Sequence, residues 1–271
     1  MTAAATAAVQ GGGAGGIAYL AAGDPAAPPL VFLHGIGGAA RGWAAQVAHF
    51  GGRFRAVAWS MPGYGGSAPP AADSVDALAV ASVGFLRALD LRRPVLVGHS
   101  IGGMVVQRVL AEGAHPVRAA VLAQTSPAFG GRDGAFQERF LAERLGPLDA
   151  GRTMADLADG LVAGLVGDDP DPAGVALARE LMARTPDAVY RASVLALTGF
   201  DLREALGRIA VPVLALSGTR DTNAPPPMME RMAARIPGAR HVALEGVGHL
   251  APLERPARFN AALDAFLADL P

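Results

Sequence analysis

Short apolar runs, most closing on glycine, serine or proline, recur along this chain with longer stretches of helical spacing between them. That alternation most limits what it can fold into. The runs read as strands are "GIAYLAAG" (16–23), "PLVFLHG" (29–35), "RFRAVAWSMPG" (53–63), "PVLVGHS" (94–100), "VRAAVLAQTSP" (117–127), "VPVLALSGTRD" (211–221) and "ARHVALEGVGH" (239–249). Their apolar residues are continuous, so both faces need covering. Helices are expected over 73–90, with Asp73 as N-cap, over 101–113, and over 255–270. Strands buried on two faces and separated by helices give an α/β fold with a mainly parallel sheet. In such sheets reacting groups gather at the carboxyl ends of the strands.

Residues 128 to about 205 break the alternation: they are helix-rich, punctuated by "GPLDAG" and "GDDPDPAG", and hold no strand pattern. So long a stretch does not fit a bare loop. It reads as a helical insertion, 128–205, in a core formed by 1–127 and 206–271. The opening "MTAAATAAVQGGGAGG" reads as a flexible leader over 1–15.

Of the 271 residues, 51% are hydrophobic and 17% charged, enough for a large core. A net charge of −1, from 23 basic and 24 acidic residues, leaves no footprint for nucleic acid or an anionic membrane. The absence of cysteine removes disulfides, thiolate catalysis and cysteine metal sites together. With neither a run of about 20 apolar residues nor a basic, apolar secretory start, a soluble cytoplasmic protein is expected.

Gly98-His99-Ser100-Ile101-Gly102 sits where the strand "PVLVG" meets the helix "IGGMVVQRVL". A serine at such a junction projects its hydroxyl above the sheet edge, and the flanking glycines relieve crowding around a strained backbone. A helix-capping serine is the plainer reading, but capping accounts for Ser100 and not for the two glycines.

A hydroxyl needs a base within reach, and the base an orienting acid. Among six histidines, His249 follows the last strand at the same sheet edge as Ser100, with Gly248 leaving room for its ring. His241 lies at the other end of that strand. His49 and His115 have helix-end or loop settings, and His99 packs beside the elbow. Asp221 ends the strand "VPVLALSG" and is the candidate acid, whereas "LAQTSPAFG" after the preceding strand offers no carboxylate. Oxyanion donors are expected from the N–H of Ile101, at a helix N-terminus, and of Ile36, in the loop "FLHGIGGAARGW". That loop is no phosphate cradle: no Lys-Ser/Thr follows and the dinucleotide spacing fails.

Taken in order, "LHGIGG", "MPGYGGS", "GHSIGG", "SGTRD" and "GVGHLAPLERP" resemble the α/β-hydrolase superfamily, covering most of the chain from about residue 17. Within it, "IPGARHVALEGVGHLAPLERPARFN" and "TGFDLREALGRIAVPVLALSGTRD" look most like 3-oxoadipate enol-lactonases and related small esterases. The resemblance implies the α/β-hydrolase fold, an eight-stranded, mostly parallel sheet flanked by helices, with a helical cap after the sixth strand. The order Ser, Asp, His is the one this fold uses. It also implies no metal and no organic cofactor, and a small ester or lactone as partner. Serine at the elbow disfavours members with an aspartate nucleophile, and the missing "GPGAS"-type loop weighs against C–C bond hydrolases. C–C bond hydrolase, perhydrolase, acyltransferase, lyase and non-catalytic ligand receptor remain the alternatives.

Substrate choice would lie in the cap. Arg132, Arg139, Arg144, Arg152, Arg179, Arg184 and Arg191 are mostly matched by nearby acids, so solvated faces are expected; a clamp by one of them on a substrate carboxylate, as an enol-lactone would require, is the alternative. Met154, Leu157, Leu161, Leu165, Met182, Tyr190 and Leu197 are candidates for the pocket ceiling.

Overall fold

The computed structural model describes residues 8–69, 73–131 and 134–271. An 8-stranded sheet runs in the order β1-β2-β4-β3-β5-β6-β7-β8. The strands are β1 (Gln10–Ala14), β2 (Ile17–Ala22), β3 (Pro29–Leu33), β4 (Arg55–Trp59), β5 (Val95–His99), β6 (Ala119–Ala123), β7 (Val213–Gly218) and β8 (Arg240–Leu244). Only β1 with β2 and β2 with β4 pair antiparallel; the remaining pairs are parallel. The α/β fold expected from the alternating pattern is therefore the observed one.

Register sorts the core into two layers. Leu30 pairs with Val95 and Phe32 with Val97, and these face one side with Trp43, Phe50 and Phe259. Val31 pairs with Leu96, and these face the other side with Trp59, Phe85 and Val105. Helices α1 (Ala44–Phe50) and α10 (Pro256–Ala268) cover the first face. Helices α2 (Val75–Ala88), α3 (Ile101–Glu112) and α8 (Pro226–Ala233) cover the second.

Two expectations need correction. Gln10–Ala14, read as part of a flexible leader, is an edge strand hydrogen-bonded to β2. Within "QGGGA" the Ala14 methyl packs against the core and the other four residues are exposed, so backbone pairing chiefly orders it. Residues 1–7 lie outside the described ones. Helix α2 is capped by Ser74, whose hydroxyl accepts from Ala77 N at 3.1 Å, and not by Asp73.

Between β6 and β7 the chain builds α4 (Ala135–Asp149), α5 (Met154–Ala163), α6 (Pro172–Ala183) and α7 (Asp187–Leu197). They bury an apolar cluster of their own that includes Leu145, Met154, Val162, Met182 and Tyr190. A short α9 (Ala251–Glu254) follows β8. The order of the sheet reverses between β3 and β5, and the crevice at their carboxyl ends is where such sheets take ligands.

Candidate active site

Ser100 joins β5 to α3 with φ 55° and ψ −123°, the left-handed region that costs a residue with a side chain. Its own backbone is fully used: its N–H donates to Ala123 O at 3.0 Å, and Thr125 Oγ1 donates to its carbonyl at 2.7 Å. The two glycines of the motif are required by close approach. A Cβ at Gly98 would run into the Gly102 carbonyl, and one at Gly102 into the Leu33 carbonyl. The hydroxyl makes no capping bond to α3, so capping is not what it does.

Asp221 follows β7 and lies almost wholly buried. Its Oδ1 accepts from Asn223 N at 2.8 Å and Ala224 N at 3.1 Å, while Oδ2 accepts from His249 Nδ1 at 2.8 Å. Burial pushes its carboxyl up, but the charge and hydrogen bond of His249 with those two amides outweigh it, and the net shift is downward. With Nδ1 committed to Asp221, His249 has Nε2 left for other partners. Ser100, His249 and Ile36 line one cavity of about 810 Å³. Ser100, His249 and Ile36 thus share one cavity, Asp221 joins them through its bond to His249, and Ile101 follows Ser100 at the start of α3. His241, paired with Ser217 Oγ at 2.9 Å, and His49, paired with Asp264 at 2.8 Å, stand elsewhere. His115 bonds Leu91 O at 3.1 Å.

The loop after β3 is a tight turn. Gly38 N donates to Gly35 O at 3.1 Å, and Gly37, at φ 76°, takes the position that needs glycine. His34 holds this turn. Its Nδ1–H donates to Gly35 O at 2.7 Å, and its Nε2 accepts from Met61 N at 2.8 Å. Burial lowers its pKa to about 4, against the raising effect of the Gly35 bond, so the ring is neutral and both nitrogens are matched. Among the described residues, the amides of Ile36 and Ile101 find no protein acceptor.

The hydrogen bond of His99, which the sequence places only beside the elbow, and the burial of Glu254 leave no mark in the sequence. His99 Nε2 donates to the backbone carbonyl of His249 at 2.6 Å, and its pKa falls to about 3 through burial first and the neighbouring His249 second. Glu254, 1% exposed, accepts from the amides of Gly167, Gly248 and Leu250 at 2.7, 2.9 and 2.7 Å. In the sequence a glutamate before Arg-Pro reads as a solvated helix end, and no pattern marks it as buried.

The cavity walls are largely apolar. Leu161, Leu165, Met182, Tyr190 and Leu197 line it, whereas Met154 and Leu157 pack within the insertion's own cluster. Of the insertion's arginines, Arg179, Arg184 and Arg191 pair with Asp159, Glu180 and Asp149, and Arg152 bonds the Asp156 carbonyl. Arg132 lies outside the described residues. Arg144 lines the cavity with its guanidinium 5.3 Å over the Phe140 ring, and Arg231 of α8 lines it too. Neither meets a carboxylate among the described residues. Glu143 is the acid on the same wall. Among the described residues no cluster of three histidine or acidic side chains suits a metal ion, and no helix is long and apolar enough to cross a membrane.

The sequence model of the alpha/beta hydrolase family matches residues 30–262. Among curated relatives, the 2-succinyl-6-hydroxy-2,4-cyclohexadiene-1-carboxylate synthase of Salmonella paratyphi B is 30% identical over 247 residues, 87% of this chain and 92% of the relative. The enol-lactonase of Burkholderia xenovorans LB400 superposes with a TM-score of 0.84 at 26% identity, covering 96% of this chain and 100% of that one. A hydrolase of Pseudomonas aeruginosa PA01 superposes with a TM-score of 0.84 at 28% identity, covering 96% and 98%.

Proposed function

The chain belongs to the alpha/beta hydrolase family, and within it we propose a serine hydrolase that cleaves a small ester or lactone through an acyl-enzyme. The observation that carries this reading is the His249–Asp221 bond on a cavity shared with a strained, uncapped Ser100.

Ser100 Oγ attacks the carbonyl carbon as His249 Nε2 takes its proton, and Asp221 stabilises the imidazolium that forms. The negative charge on the tetrahedral oxygen is met by the unused amides of Ile36 and Ile101. His249 then delivers its proton to the departing alcohol, leaving Ser100 acylated. Water enters, gives a proton to His249 and attacks the ester, and Ser100 leaves with that proton restored. His34, by fixing the Gly35 carbonyl, keeps the Ile36 amide aimed at the site.

The apolar walls with Arg144 and Arg231 among them favour a substrate that joins an apolar stretch to a carboxylate. The test is a panel of short esters and lactones, p-nitrophenyl acetate and a 3-oxoadipate enol-lactone included, with mass detection of Ser100. Ester turnover with acylated Ser100 is expected, and ester turnover by Ser100→Ala at the wild-type rate rules the assignment out.

The second reading is a lyase- or synthase-type reaction in which His249 acts on a carbon acid and no acyl-enzyme forms. The 30% identity to the synthase favours it. Failure to acylate Ser100 with any ester of the panel would move the balance there.

A further inference from the structure

We propose that Glu254 is a positioning residue that sets the imidazole of His249 against Ser100. The inference rests on the serine-hydrolase reading and deepens it.

His249 lies in a turn between β8 and α9, where no ladder or helix of its own fixes the ring. Its direction depends on the peptide planes around it, and one carboxylate holds two of them, 247–248 and 249–250. Glu254 Oε2 accepts from Gly248 N at 2.9 Å, and Oε1 from Leu250 N at 2.7 Å. The same Oε2 takes a further bond, at 2.7 Å, from Gly167 N of the insertion. Among the described residues this carboxylate has no cationic partner, since Arg255 beside it turns to Asp168 O and Asp169. A buried carboxylate lacking an ion pair is costly, and amide dipoles are what offset it here.

His249 itself completes the clamp. Its N–H donates to Leu165 O at 2.7 Å and its carbonyl accepts from His99 Nε2 at 2.6 Å. The two strips of backbone touch: a Cβ at Gly167 would meet the Gly246 carbonyl, and one at Gly248 would meet Gly167 N and Leu165 O. Small tilts therefore matter. Rotating the 248–250 peptides by about 10–20° moves Nε2 by roughly 1 Å, outside the productive range for proton transfer.

Replacing Glu254 changes the clamp in graded ways. Gln keeps the shape but turns an NH₂ toward an amide N–H. Asp keeps both oxygens but falls a methylene short. Ala removes every acceptor and leaves three amides unpaired.

The experiment compares Glu254→Gln, Glu254→Asp and Glu254→Ala with wild type on p-nitrophenyl acetate. Competent sites are counted by mass after exhaustive fluorophosphonate labelling. Per labelled site, kcat is expected to fall about 10–100-fold with KM within about twofold, and the rate of labelling to fall in parallel. A wild-type kcat per labelled site, with only the labelled fraction or melting temperature reduced, would mean a merely structural role and overturn the proposal. If Glu254→Ala does not fold, the Gln and Asp variants carry the same readouts. Ser100→Ala is run alongside. An active Ser100→Ala defeats the serine reading itself, whereas an inactive one beside a fully active Glu254→Gln defeats only the role of Glu254.

Discussion

His99 grips the backbone of His249: its Nε2–H donates to the His249 carbonyl at 2.6 Å, with the two rings 5.1 Å apart. The residue before the elbow serine thus braces the residue across from it, and it does so as a neutral donor.

That neutrality has a pH signature. Burial lowers His99 to about 3 and His34 to about 4, from an ordinary value of 6.5. The unfolded chain then binds more protons than the folded one below the ordinary value. Stability from these rings is complete above pH 6.5 and drains as pH falls toward 4 and 3, by at most about 1.4 kcal/mol per pH unit for each imidazole. Urea midpoints measured from pH 7 to pH 4 should fall, and His99→Gln, which keeps a donor but cannot titrate, should fall less steeply.

Asp221→Asn should leave substrate binding nearly intact and lower kcat by about 10³–10⁴-fold. The variant presents an amide to Nδ1 and favours the wrong tautomer. Steady-state kinetics on one ester would check it, and a loss confined to KM would contradict the orienting role.

Gly102→Ala drives a methyl into the Leu33 carbonyl, where backbone must give way. A loss of about 1–3 kcal/mol is expected by chemical denaturation. Gly52→Ala, where a new Cβ meets nothing within 4 Å, is the matched control and should stay within about 0.5 kcal/mol of wild type.

Arg144→Gln and Arg231→Gln test the charge preference. For an ester bearing a distal carboxylate, each should raise KM about 10-fold, since a charge-assisted bond is lost. The neutral ester of equal length should change by no more than about twofold. Equal effects on both esters would remove the carboxylate from the reading.

The parts legible in the sequence were those with a side-chain signature. Leu30–Leu33 and Val95–Val97 announce buried strands because both faces are apolar, and the glycines around Ser100 announce a tight junction. β1 left no such trace: "QGGGA" is ordered by main-chain bonds, which composition does not encode. Glu254 was invisible for the opposite reason, since its partners are three amides whose convergence exists only once the chain is folded. The His249–Asp221 bond lies between these cases. Each residue could be assigned to the same sheet edge, but their hydrogen bond depends on how the turns after β7 and β8 meet.

The seam between residues 165–168 and 246–249 bears on how this scaffold can diversify. Grafting the intervening helices from a relative to recruit a new substrate would swap out Leu165 O, Gly167 N and Asp168 N, which bond His249 N, Glu254 and Gly246 O. A chimera would thus disturb chemistry while aiming at selectivity alone. Exchanges confined to the cavity-facing positions of α4 and α7 leave that seam whole, so these are the surfaces where specificity is free to drift.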